Sequence, residues 1–139
     1  MVIHMKEILK SIMQAEIMVL KNLLSALDEQ HKYIAGNELI KLASIVEAIE
    51  KCNKDIAKIE VDRRKVTKGE SMKMLIEECK DQELELSFRN INKLLQEIKL
   101  QKDTNEVLLK KGLSFSAQML NLLKPDRSAK TYNAYGRSK

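Results

Sequence analysis

Two histidines, two cysteines and scattered serines and carboxylates are the residues through which this chain could do chemistry. His31 follows Asp28 by three residues, which places both on one helix face and resembles half of a carboxylate–histidine metal motif. A di-metal bundle needs two Glu-x-x-His pairs and two further inward glutamates. Here the acid is Asp, the pair is single, and His4 stands near the N-terminal end. A surface or boundary histidine is the expectation, and a carboxylate-metal enzyme with Asp28 and His31 as ligands is the alternative. Cys52 and Cys79 stand apart, without a CxxC, whereas a zinc site draws about four ligands from close spacing. They read as reduced cytosolic thiols. No nucleophile pairs with a base and no Gly-rich loop can cradle phosphate. The expectation is a protein without catalytic residues, metal ligands or cofactor, and not an enzyme.

The elements that would position such groups are helices. Apolar residues make up 44% of the chain, but Ile, Leu and Met supply most of them, Trp is absent, and aromatics are 4%. Four glycines and one proline leave little turn chemistry, and no alternating runs flank hairpin dipeptides. This is the composition of long helices and coiled coils. At 139 residues the chain is one domain at most.

The first segment runs from residue 2 to about 34. Met13, Ile17, Leu20, Leu24, Leu27, His31 and Ile34 recur at spacings of four and three. Ile8, Leu9, Ile12, Val19 and Leu23 widen the stripe until it needs two neighbours. At Ala35-Gly36-Asn37 the pattern breaks; Gly36 can take the left-handed conformation and Asn37 can cap the next helix. The second segment, from Asn37 to about Lys68, is marked by Leu39, Leu42, Val46, Ile49, Cys52, Ile56 and Ile59 and loses its stripe in DRRKVTKG. The charged run EVDRRKVTK reads as a solvated helix end. Gly69 can end this segment, and Ser71 can cap a third helix of about two turns, MKMLIEECK. The fourth segment runs from about Asp81 to Lys124 on Leu84, Phe88, Ile91, Leu95 and Ile98, then Leu109, Leu113, Leu120 and Leu123. Three long helices with short connections run antiparallel in sequence. The expected fold is an all-α, elongated antiparallel three-helix bundle or coiled coil over residues 1–124, with one short extra helix. A flexible basic tail should occupy 125–139.

Charge supports that division. The net charge is +5, and Arg127, Lys130, Arg137 and Lys139 against Asp126 put +3 of it in the tail. Elsewhere the signs interleave along the sequence, as on a solvated helix surface. Aromatic residues interleaved with basic ones, as base stacking needs, are missing, so nucleic acid is not an expected partner. The N-terminus, MVIHMKEILK, carries too short an apolar run for a signal or membrane anchor. The expected location is the cytoplasm, without direct membrane insertion.

Lys102 and Asn105 interrupt the fourth stripe. Polar groups at core positions can fix helix register; alternatively the helix outlasts its partners there. In the second case Leu108, Leu109, Leu113, Phe115, Met119, Leu120, Leu122 and Leu123 form an apolar patch of the size that marks a binding surface. Packing against the first helix is the other reading. Pro125 then stops the helix ahead of the tail, which holds two of the three tyrosines.

Asn105-x-x-Leu108-Leu109, Leu113-x-Phe115, Met119-Leu120-x-Leu122-Leu123 and Thr131-Tyr132-x-x-x-Gly136-Arg137 together resemble the FlgN family of flagellar export chaperones. The likeness extends upstream to the first helix, its Ala35-Gly36-Asn37 turn and a second helix with a basic end. It implies a cytosolic chaperone that binds the disordered C-terminal segments of the hook–filament junction proteins FlgK and FlgL. Such a chaperone prevents premature assembly and hands its client to the type III export gate and its ATPase apparatus. The client site then matches Leu108, Leu109, Leu113, Phe115, Met119, Leu120 and Leu123, and the gate-docking tail matches Tyr132 and Gly136. Tyr135 is an additional tyrosine beside that docking position. A structural or adaptor coiled coil acting by self-association is the alternative.

Overall fold

The computed structural model describes residues 2–123, with side chains given except at 2, 3 and 113–116. Four helices follow in order: α1 (Val2–Ala35), α2 (Leu39–Thr67), α3 (Met72–Cys79) and α4 (Gln82–Leu123). There is no strand among the described residues. The chain divides into two compact units, Met1–Asn105 and Glu106–Lys139.

In the first unit the helices pack as a bundle around α1. Leu9, Met13, Ile17, Leu20, Leu23 and Leu27 of α1 are buried together with Ile76 of α3 and Leu84, Ile91, Leu94 and Ile98 of α4. From α2, Ile49, Cys52 and Ile56 pack half-buried against them. Each fully buried apolar side chain contributes about 1.5–3 kcal/mol, so this cluster is the main source of cohesion. The short turn folds α2 back along α1, and Glu16 accordingly meets Arg63. With α4 parallel to α1, Lys10 faces Asp81, Gln14 donates to Ser87 and Asn105 reaches Leu27.

The connections obey local chemistry, with two departures from expectation. Glu38 N–H donates to Tyr33 O and Asn37 N–H to Ile34 O, the paired bonds of a Schellman end to α1. Asn37, not Gly36, is the left-handed residue, at φ 54°. Asparagine tolerates that region better than other residues with a Cβ. Asn37 therefore closes α1 instead of capping α2, and Glu38 occupies the N-cap of α2. Ser71 does precede α3, but its hydroxyl makes no cap bond. At the start of α4, by contrast, Asp81 is an effective cap. Its Oδ1 accepts from the amides of Glu83 at 2.9 Å and Leu84 at 3.3 Å, while Oδ2 pairs with Lys10 at 3.1 Å. The Lys10 hydrogen bond, aided by those amides, holds the Asp81 carboxyl below its ordinary range. Asp81 in turn raises the Lys10 ammonium, with Glu83 adding to it.

The run EVDRRKVTK is only partly a solvated end. Arg63 is half-buried and Thr67 is buried. The Arg63 guanidinium donates to both oxygens of Glu16, at 2.9 and 3.3 Å. Glu16 is buried, and burial raises its carboxyl above the ordinary glutamate range against the opposing pull of Arg63. The pair is a polar continuation of the α1–α2 seam.

Asn105 resolves the ambiguity at the interruption. Lys102 is exposed, whereas Asn105 is 1% exposed. Its Nδ2 donates to Leu27 O and to Gln30 Oε1, both at 2.9 Å. Its Oδ1 accepts from Gln101 Nε2 at 3.0 Å, and the same nitrogen lies 3.3 Å from His31 Nδ1. A backbone carbonyl can only accept, so Leu27 O fixes which end of the Asn105 amide faces α1. That orientation passes to Gln101 and makes His31 Nδ1 an acceptor when the imidazole proton sits on Nε2. The core position is polar because it sets the register of α4 on α1.

Asn105→Asp removes the donor and faces Leu27 O with a carboxylate. It should lower unfolding stability by about 1–3 kcal/mol or more, read by urea denaturation; an unchanged midpoint would deny the register role. Arg63→Ala leaves Glu16 buried without its counter-charge, at a cost of about 3 kcal/mol near neutrality. The raised glutamate favours its protonated form in the folded state, so this contribution is present below the ordinary glutamate value and is lost as pH rises. The deficit of the variant should therefore vanish at and below the ordinary glutamate value and open as pH rises above it.

Candidate client-binding face

The second unit is described over residues 106–123, all helical. With about 100° per residue, Leu108, Leu109, Leu113, Phe115, Met119, Leu120, Leu122 and Leu123 occupy about half of the helix circumference. Lys110, Lys111, Gln118 and Asn121 occupy the rest. One apolar face opposite one polar face is what an amphipathic helix needs for a partner.

Accessibility along this face is graded. Leu108 and Leu109 are half-buried, and Met119 is 42%, Leu120 56%, Leu122 75% and Leu123 73% exposed. Large apolar side chains exposed in sequence along one helix are uncommon without a partner to cover them. The side chains of Leu113 and Phe115 lie outside the described residues, although both positions are helical. Tyr132, Tyr135 and Gly136, and with them the whole 125–139 segment, also lie outside the described residues.

Gly112 sits near the centre of the apolar arc. A Cβ added there would meet nothing within 4 Å. Glycine inside a helix costs roughly 0.5–1 kcal/mol relative to alanine. Among the described residues no close approach requires it. Its signal in the sequence is a lone glycine in a leucine-rich helical run.

The residues considered for catalysis do not converge. Asp28 is exposed and His31 is half-buried, with its Nδ1 turned to Gln101. Cys52 and Cys79 are free and half-buried against the core. Burial, then Asp55, raises the Cys52 thiol, which makes it a poorer nucleophile. Among the described residues no group of three or more His, Cys, Asp or Glu side chains is placed to hold a metal ion. No described helix is long and apolar enough to cross a membrane.

Comparison with protein-family models gives one decisive match: the family described as FlgN protein, over residues 1–139. The chain belongs to the FlgN family. FlgN proteins are chaperones, and membership implies a role in flagellar export and the binding of flagellar hook-associated proteins. Comparison with curated proteins and with solved structures gives no match. An all-α bundle ending in an amphipathic helix suits a FlgN chaperone, because an apolar helix face can take up a client segment without any covalent chemistry.

Proposed function

We propose that this FlgN protein acts in the cytoplasm, binding the disordered C-terminal segments of the hook–filament junction proteins FlgK and FlgL through the apolar face of residues 108–123. It keeps them from assembling prematurely and delivers them to the type III export gate. The observation that carries this reading is the exposed row Met119, Leu120, Leu122 and Leu123 on a helix with a polar reverse side.

A client segment that folds on binding lays its own apolar residues, spaced by three and four, against this row. Ordering it costs about 2–5 kcal/mol of the gross interaction energy. Affinity is thereby held to a level from which cargo can be released. Met119 adapts its unbranched side chain to related but different clients. Gly112 lets a client side chain or backbone approach the helix axis between the leucines. Tyr132 and Gly136, beyond Pro125, serve gate docking in this scheme, and Tyr135 stands three residues from the first.

Leu120→Glu tests the face with little risk to the fold, since the side chain is already exposed. It should weaken binding of a FlgK or FlgL C-terminal peptide by about 2 kcal/mol or more if it lies at a hot spot. Tyr132→Ala should leave peptide affinity unchanged and reduce secretion of the client. Unaltered affinity in a helical Leu120→Glu protein would remove this face from the site, and equal loss of affinity in Tyr132→Ala would place the tail in it.

A further inference from the structure

Charges that alternate along α2 sort by face around it. Lys51, Lys54, Lys58, Lys65 and Lys68 follow one another at spacings of three, four, seven and three, with Val61 filling the intervening turn. At about 100° and 1.5 Å per residue, Lys51, Lys54, Lys58 and Lys65 fall within an arc of about 60° and a line of about 21 Å, and Lys68 follows at the left-handed C-cap of α2. All five are exposed. Ile45, Ile49, Cys52, Ile56 and Thr67 lie on the opposite, inward side. Acidic residues stand at the borders: Glu47 one turn before the row, and Glu50, Asp55 and Asp62 on its flanks. Among the described residues none of the five lysines forms an ion pair, whereas nearby Arg63 and Arg64 are both paired with glutamates.

We propose that this lysine row is a peripheral docking surface for an anionic lipid bilayer. A straight row on the outer ridge of a helix lets the ammonium groups of Lys51, Lys54, Lys58 and Lys65 touch one plane together, and lysine stems are long enough to reach it. The chemistry of the row disfavours the other anionic partners. It offers no Arg, Asn or Gln for bidentate base contacts and no aromatic ring for stacking. Val61 is its single large apolar residue, too little for the buried anchors on which a folded protein partner depends. A bilayer rich in acidic headgroups needs neither pocket nor anchor, only a density of charge. Such contact is electrostatic and reversible, and differs from insertion. α2 carries none of the proposed client residues, so the proposal stands or falls apart from the client reading.

The test is sedimentation of the full chain with phosphatidylcholine vesicles, with and without about 30% phosphatidylglycerol, at low and at physiological salt. The mixed vesicles should bind the protein and the neutral ones should not, with binding weakened by salt. Each lysine at the surface multiplies partitioning about fivefold, so Lys54→Gln/Lys58→Gln/Lys65→Gln should lower it about 100-fold. Gln is close to Lys in helix propensity, and unchanged helicity by circular dichroism would confirm an intact fold. The matching triple change to Arg should retain binding, and Arg127→Gln/Lys130→Gln/Arg137→Gln should reduce it less than the α2 triple does. Absence of binding to acidic vesicles at low salt would overturn the proposal, as would binding indifferent to the α2 triple. Stronger α2-dependent capture of an oligonucleotide or polyglutamate than of vesicles would overturn it too.

Discussion

The first unit depends on α1 being buried from two sides. Leu9, Met13 and Leu20 are at most 1% exposed, and they share one cluster with residues of α3 and α4 while α2 packs against it. A single helix whose stripe is wide enough for two neighbours makes the others its dependents. The buried positions of α2 are Ile45 and Thr67 alone, so most of its inward side is only half covered and its outer side is left to solvent. That asymmetry permits a row of unpaired lysines on α2 at no cost to packing.

An apolar stripe fixes which face is buried but leaves sliding along it inexpensive. Polar contacts supply the missing specificity at three levels of the bundle. Lys10 and Asp81 join the start of α4 to α1, and Glu16 and Arg63 join α2 to α1. Asn105, with Gln30, Gln101 and the carbonyl of Leu27, closes the far end. Hydrogen bonds with a fixed donor and acceptor sense are satisfied at one register and broken at its neighbours. The unit ends at this polar layer, and beyond it no apolar side chain of α4 is buried among the described residues.

Helix order and the placement of the long helices were legible in the sequence because stripes such as Met13–Ile17–Leu20–Leu24 and Leu84–Phe88–Ile91 depend on spacing alone. Ile45 and Leu94, however, are buried where the spacing favours Val46 and Leu95, and those two are 45% and 47% exposed. One small error fell where two residues could do one job. Gly36 and Asn37 both admit a left-handed backbone, and only the bonds to Tyr33 and Ile34 decide between them. Ser71 precedes α3 without a cap bond, whereas Asp81 caps α4 and also finds a cation. Asn105 was ambiguous because burial of a polar side chain depends on partners 75 and 78 residues away. Sorting of lysines around α2 was concealed by acids that alternate with them in sequence yet lie at the borders of the row. The apolar face of residues 108–123 was legible as an amphipathic pattern, and its exposure was not, since exposure is a property of the packed chain.

Hydrogen–deuterium exchange with and without a FlgK or FlgL C-terminal segment tests the central claim most directly. Slowed exchange across residues 106–123, with the amides of α1 and α2 unchanged, is the result this account predicts. Protection on α1 or α2 while 106–123 exchanges as in the free protein would contradict it.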